Sequence, residues 1–289
     1  MSLRQVGTWA ETEPSSSGGV AEARLSVHEF ARLRDLLHEH AGLSFDEGKS
    51  ALLEARLRRR LQALGLADFA AYLAVLDSGA GTREIVHLVD AVATNVTRFF
   101  REPEHFAFAA AAARRLAAEG RRLHFWSAGC ATGEEPYSLA MVLGSSLPAG
   151  TDWRILATDI STLALQKAQQ GNYTASQVEA VPSRYQRTAF SNRTGSQGEI
   201  RRIDDDLKRM ILFRRLNLGR TPYPVRGVFD LVLCRNVMIY FDPQQRADAV
   251  AEFHRLLQPG GHLIVGEAEN LLGLEGRFER KQPAVYRRV

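Results

Sequence analysis

SAGCATGEEPYS, residues 127–138, is the stretch whose reading decides the fold. It reads as the end of a buried strand, a glycine turn, two adjacent carboxylates (Glu134 and Glu135) and the start of a helix. A strand feeding a helix through a tight turn is a unit of a doubly wound α/β sheet, and such sheets bind ligands outside the carboxyl ends of their strands. A phosphate cradle would avoid the acidic pair, so this loop suits a ligand with positive charge. LVLCRNVMIYF, residues 231–241, is a second buried strand whose end delivers Arg235, Asn236 and Tyr240 to one edge of the sheet.

From Leu123 onward strands and helices alternate. LHFWSAG, WRILATDIS, VFDLVLCRNVMIYF and HLIVGEAE read as strands. EPYSLAMVLGSSL, TLALQKAQQ and PQQRADAVAEFHRLL read as helices, and QPGG as a turn. The alternation predicts a mostly parallel, Rossmann-like sheet over residues 121–289. Between 172 and 216 the rhythm breaks into short strand-like runs around a Gly/Ser/Asn turn, which predicts a small inserted subdomain of antiparallel strands. Residues 25–92 carry apolar residues at helical spacing with Gly at the breaks, and so form an all-helical domain. TNVTRFFRE, residues 94–102, opens a further helix; Pro103 suits its first turn and the alanine-rich run to Glu119 favours it, making 93–120 a linker helix. Residues 1–24 have little apolar content and read as a disordered tail.

The 289 residues are 45% hydrophobic and 24% charged, which is globular and long enough for two domains. The net charge of +4 is too small to mark a nucleic-acid binder, although a local patch can still face an acidic partner. The two cysteines, Cys130 and Cys234, have no metal-ligand spacing and read as reduced, buried thiols at strand ends. The N-terminus has no apolar signal core and no run is long enough to span a bilayer, so a cytoplasmic monomer is expected.

GCATG, residues 129–133, lets a ligand approach the backbone closely, beginning at Gly129. It is not GxGxxG, which counts against a nicotinamide oxidoreductase. ATDIS puts Asp159 at the end of the second strand, where an acidic residue in a Rossmann-type sheet hydrogen-bonds ribose hydroxyls. Taken alone, Asp159 is equally a turn or cap aspartate, and Glu134 and Glu135 are equally carboxylates favouring a helix dipole. A nucleoside with acid near its other end and no phosphate cradle suggests S-adenosylmethionine, whose sulfonium and ammonium the glutamates would balance. LLQPGGHLIVGEAE resembles the late strand of many methyltransferases.

TNVTRFFRE, SAGCATGEEPYSLA, ATDIS, NL and CRNVMIYFD, in this order, resemble the CheR-type chemotaxis receptor methyltransferases, and the helical domain (KSALLEARLRRRLQALGL) shares in the resemblance. It covers nearly the whole chain after residue 25. It implies transfer of methyl from S-adenosylmethionine to glutamate side chains of bacterial chemoreceptors, leaving S-adenosylhomocysteine. It further implies that Asn95, Thr97 and Arg101 lie beside the cofactor and acceptor, and that Glu135 and Asp159 bind the cofactor. Asn217 and Leu218 bracket the adenine side, Asn236 and Val237 line the floor, and Tyr240 reaches the reaction centre. Glutamate is already ionised at neutral pH, with an ordinary pKa of about 4.3, so no strong general base is expected. Anion meets sulfonium and both charges vanish, which a water-poor site favours. Arg101 would hold one carboxylate oxygen while the other attacks, and Tyr240 would fix the pose.

Lys49, Arg56 and Arg60 fall on one stripe at helical spacing with Arg59 nearby, beside an apolar stripe of Leu53, Leu57, Leu61 and Leu64. The basic stripe is expected to dock on the acidic cytoplasmic domain of a methyl-accepting chemoreceptor, so the membrane is met only through the receptor. In some members of the family a subdomain like the insert captures a peptide tether with a glycine-bearing loop. Here Gly195 and Gly198 are present, but Arg193 stands where a further glycine would suit. The alternative from another class is a non-catalytic module that binds the cofactor and docks on a receptor array.

Overall fold

The computed structural model describes residues 23–79, 81–195, 198–269 and 276–289. The tail expected over 1–24 lies almost entirely outside the described residues. Four helices come first: α1 (Val27–Ala41), α2 (Ser50–Leu64), α3 (Phe69–Leu76) and α4 (Gly81–Val92). Ser26 opens α1 in a capping box with Glu29, and Gly42 closes it in the left-handed conformation. Leu33, Leu37, Leu53, Leu57, Leu61, Tyr72, Leu88 and Val89 are buried together at its centre. Leu64, expected on the same stripe, is instead 37% exposed, because it lies at the last turn beyond the facing helices.

A segment without regular structure follows, and α5 begins at Pro103, not within 94–102 (Pro103–Ala117). The expected early helix start is overridden because Phe100 and Glu102 adopt φ of 52° and 57°, which breaks helical continuity. The α/β part then runs β1 (Leu123–Ala128), α6 (Glu134–Ser146), β2 (Trp153–Asp159) and α7 (Thr162–Gln170). The insert holds β3 (Asn172–Thr174), α8 (Ala175–Val178), α9 (Ser183–Ala189), β4 (Phe190–Gly195), β5 (Gly198–Ile203) and α10 (Asp205–Arg209). The chain closes with β6 (Ile211–Arg215), β7 (Phe229–Cys234), α11 (Pro243–Leu256), β8 (Leu257–Val265), β9 (Phe278–Gln282) and β10 (Val285–Arg288).

The main sheet has seven strands in the order β6-β2-β1-β7-β8-β10-β9. Its first five strands are parallel, β10 pairs antiparallel with β8, and β9 pairs antiparallel with β10. β3, β5 and β4 make a separate antiparallel sheet. The insert expected over 172–216 is therefore shorter, since Ile211–Arg215 pairs with β2 in the main sheet. Its apolar alternation served a parallel edge strand, and a run of five residues carries no mark of its partner. The strand expected over VFDLVLCRNVMIYF ends at Cys234, and Met238–Tyr240 is a 3-10 turn. The closing pair β9–β10 has no clear period and was not anticipated.

Alternation along β1 sorts the core into two layers. Leu123 and Phe125 pack with Ala109 of α5, Leu139 of α6 and Leu165 of α7, together with Tyr173 and Phe190 of the insert. Trp126 and Ala128 pack on the other face with Val250 and Phe253 of α11. The chain turns opposite ways out of β1 and β7, so their carboxyl ends form the crevice of a doubly wound sheet. Among the described residues no helix is long and apolar enough to cross a membrane. Cys130 and Cys234 are free and buried.

Candidate active site

A cleft enclosing about 930 Å³ of space, mouth included, opens at this crevice. Asn95, Thr97, Arg101, Gly129, Glu135, Asp159, Asn217, Leu218, Asn236, Val237 and Tyr240 all line it. The fold thus brings together at one place residues that stand up to 145 positions apart, from Asn95 to Tyr240.

The floor is built on glycine. Gly129 has φ +83°, and a Cβ there would lie 2.3 Å from Val237 Cγ2. The Gly129 and Cys130 N–H groups donate to the Thr158 carbonyl, which ties the loop to the end of β2. Asp159 completes the tie, accepting from the Ala131 N–H at 2.8 Å and the Ser161 N–H at 2.9 Å. Each oxygen retains a further lone pair, so Asp159 can both hold the loop and receive a hydroxyl. Burial raises its pKa, opposed by those backbone donors.

The two glutamates separate. Glu135 enters the cleft wall, accepting from Ser127 Oγ at 2.6 Å and lying 3.2 Å from Arg235 Nη1. Burial raises its pKa, with the Arg235 charge and the Ser127 hydroxyl opposing. Glu134 turns away, held by Thr132 Oγ1 at 2.7 Å and facing Gln177 of the insert. Adjacent residues at a helix start point about 100° apart, and only one can face the ligand.

Arg235 was anticipated at the sheet edge but given no role. Its side chain is 2% exposed, and its guanidinium bridges Glu135 to Glu102, 3.0 Å from Nη2, while also donating to the Arg101 carbonyl. It lies over the Phe106 ring. The charged residue directly after the apolar run Leu231–Cys234 is the signal for it. Through this contact β7 positions the backbone of residues 101 and 102. Phe99 and Phe100 anchor the same segment from the other side, Phe99 edge-on to Tyr173 and Phe100 stacked on Tyr185 at 5.4 Å. The Phe100 N–H donates to Ser138 Oγ. Among the described residues, Phe100, Glu102, Ala131 and Asn236 are four of the five non-glycine residues with positive φ, and all belong to segments that wall the cleft. Backbone strain gathered at one site marks a functional site.

Asn236 is held there because Glu269 accepts its N–H at 2.8 Å as well as those of Gly266 and Ile239. The helical domain closes the cleft with Ala41 and Leu43. Asn217 spends its side chain on this closure, donating from Nδ2 to the His40 carbonyl and accepting the Gly219 N–H on Oδ1. The Ser44 N–H donates to the Tyr240 carbonyl. No local pattern marks Ala41, Leu43 or Glu269, because each reaches the site through long-range packing.

The expected basic stripe is not four equivalent cations. Arg60 forms a bidentate pair with Glu84, at 2.5 and 2.7 Å, and Tyr72 donates to the same carboxylate. Arg56 donates to the Val92 carbonyl and to Thr94 Oγ1, fixing the start of the segment that carries Asn95 and Thr97. Lys49 and Arg59 are exposed, Lys49 beside Asp46. Helical spacing alone does not distinguish a guanidinium that faces solvent from one that folds back on a neighbouring helix.

Residues 95–286 match the family described as CheR methyltransferase, SAM binding domain, and residues 28–93 match its all-alpha domain. The chain belongs to the CheR methyltransferase family. It is 38% identical over 263 residues to the chemotaxis protein methyltransferase of Escherichia coli, covering 91% of each chain. It is 36% identical to chemotaxis protein methyltransferase 2 of Pseudomonas aeruginosa, covering 90% of this chain and 92% of that one. Among solved structures, magnesium protoporphyrin IX methyltransferase from Synechocystis PCC 6803 matches 69% of this chain and 71% of its own, at 18% identity and a TM-score of 0.32. This CheR-family chain is an S-adenosylmethionine-dependent methyltransferase. The cleft fits that cofactor: the side chain-free approach at Gly129, a buried acid at Glu135 and acceptor capacity at Asp159 match a cationic nucleoside.

Proposed function

We propose that the chain is a protein-glutamate O-methyltransferase that esterifies glutamates on the cytoplasmic domain of methyl-accepting chemoreceptors. The observation that carries this reading is the composition of the cleft wall. Among the described residues it contains no histidine, lysine or cysteine, and both its acids, Glu135 and Asp159, are engaged with the protein. No group stands ready to remove a proton, so the acceptor must arrive ionised. A carboxylate does; an amine at neutral pH does not.

Glu135, Asp159, Asn95 and Thr97 would hold the cofactor, with Gly129 and Val237 below it and Asn217 and Leu218 at its nucleoside end. When bound, S-adenosylmethionine supplies a methyl group on a sulfonium, which an ionised carboxylate accepts without proton transfer. Arg101, 39% exposed at the cleft, offers a fork that orients one carboxylate oxygen. Tyr240 borders the same mouth and its hydroxyl can donate to the acceptor. Arg235 keeps the backbone of Arg101 in place, so orientation is built in before the acceptor enters. The relatives named as chemotaxis protein methyltransferases support the choice of acceptor.

The test uses labelled methyl donor, the purified protein and membranes that contain chemoreceptors. Label on the receptor band that mild base releases as methanol is expected. Label that resists base would overturn the ester assignment in favour of nitrogen or ring methylation. Absence of transfer with cofactor binding retained would favour the non-catalytic module.

A further inference from the structure

A second recess of about 420 Å³ adjoins the cleft and shares Leu43, Thr94 and Tyr240 with it. Its remaining apolar walls are Phe45, Leu52 and Val92, with Lys49 and Arg56 beside them. Leu52 is 44% exposed and stands three residues after Lys49 and four before Arg56. From the turn before α2 into α2, one stripe therefore runs cation, leucine, cation. A lone exposed leucine needs no explanation. Here it joins Leu43 and Phe45, both half-buried, in a recess that ends at Tyr240.

A face meant only for charge has no use for this floor. A partner that brings acid alone would meet Lys49 and Arg59 equally well with a polar residue at position 52. We infer that the recess is a specificity subsite for the acceptor protein: it takes an aliphatic side chain lying within one helical turn of the glutamate to be methylated, on an acidic, amphipathic segment. The inference rests on the glutamate-methyltransferase reading above and goes beyond it by naming a recognition element. Its geometry follows from the shared wall. A carboxylate placed at Tyr240 leaves its neighbours three and four positions away about 5–6 Å off, over the recess. The acids of the same segment then face the exposed Lys49 and Arg59. Helix-in-groove recognition works through such apolar anchors, with charge setting encounter and register.

Leu52→Lys is the discriminating variant, because it removes the floor while adding positive charge to the stripe. Leu212→Lys on β6, where Leu212 is also exposed and lines neither recess, is the matched control. The acceptor is the purified cytoplasmic fragment of a chemoreceptor. Leu52→Lys is expected to raise the fragment KM roughly tenfold, the loss of one buried aliphatic contact, with kcat and S-adenosylhomocysteine affinity unchanged. Fragments whose aliphatic residues within four positions of the acceptor are changed to Ser should show the same rise with wild-type enzyme and little further rise with Leu52→Lys. An unchanged or lowered KM for Leu52→Lys, with wild-type enzyme making base-labile ester, would overturn the subsite and leave the glutamate reading standing. A loss of kcat or cofactor affinity in Leu52→Lys would overturn it as well, by assigning Leu52 to the cleft itself. A wild-type enzyme that makes no ester would overturn the glutamate reading and the subsite together.

Discussion

Asp159 both braces the backbone and lines the cleft. One oxygen holds the loop after β1 through the Ala131 N–H, and the other holds the turn after β2 through the Ser161 N–H. Asp159→Ala should therefore weaken S-adenosylmethionine and S-adenosylhomocysteine alike, by about 1.5–3 kcal/mol. It should also lower the melting temperature, since two buried donors lose their acceptor; calorimetry and a melting curve check the pair. Tyr240 is different, because it lines both the cleft and the adjoining recess. Tyr240→Phe should cut kcat while leaving cofactor affinity within about twofold, a margin near 0.4 kcal/mol; a collapse of affinity with kcat held would remove it from the acceptor side. Glu135 gives a pH dependence. Burial raises its pKa in spite of Arg235, so as pH falls the carboxylate is neutralised above the ordinary carboxylate value of about 4.3, and a cationic ligand loses its partner. Through its ammonium, S-adenosylhomocysteine affinity should fall as pH is lowered from 7 toward the ordinary carboxylate value of about 4.3, less so in Glu135→Gln. The stability term has the opposite sign. A carboxyl with a raised folded pKa favours the fold fully at low pH and loses that contribution as pH rises through the raised value. Affinity flat over the interval would refute the role given to Glu135.

At the scale of elements, the cleft depends on how closely β1 and β7 deliver their ends. Gly129 sits at φ +83° against Val237, so Gly129→Ala meets both a forbidden backbone region and a contact of 2.3 Å. It should cost cofactor affinity at least tenfold, about 1.4 kcal/mol. Gly129→Ala with Val237→Ala should recover only the part due to the contact, because the φ penalty stays. Equal titrations for the two variants would show that the side-chain contact does not matter. The segment from Ala93 to Glu102 is another such element. It has no regular structure, yet Arg56, Arg235, Ser138 and the Phe100–Tyr185 stack hold it from four directions. Arg56 is accordingly a support of the cofactor cleft before it is a docking charge. The motif TNVTRFFRE was legible as important, but its shape was not, since positive φ at Phe100 and Glu102 is imposed by partners from elsewhere in the chain.

For the whole molecule, the helical domain forms one wall of the cleft. Gly42 and Gly219 meet across the seam, where a Cβ on Gly219 would lie 2.8 Å from Gly42 Cα. Asn217, Ser44 and the His38–Asp242 pair cross the same seam. Gly219→Val should pry the domains apart without touching a residue that faces the acceptor. Weaker S-adenosylhomocysteine binding is expected, together with a helical-domain transition that separates from the main melting transition. A single transition with wild-type affinity would show that the seam tolerates the wedge and that the domains close independently of it.

The sequence by itself determined the alternation β1–α6–β2–α7 and β7–α11–β8, the helical character of residues 25–92 and the polar residues placed at the strand ends in the two motifs. Those features rest on local periodicity, on glycine and on the chemistry of residues at strand ends, all of which are written within a few positions. Only the tertiary structure decided how the acidic pair divides, Glu135 lining the cleft while Glu134 turns to Thr132 and Gln177, that Ile211–Arg215 joins the main sheet, and that Arg60 and Arg56 are committed to Glu84 and to the loop start. Each of these depends on a partner far away in the chain, and periodicity carries no information about which distant surface a face will meet.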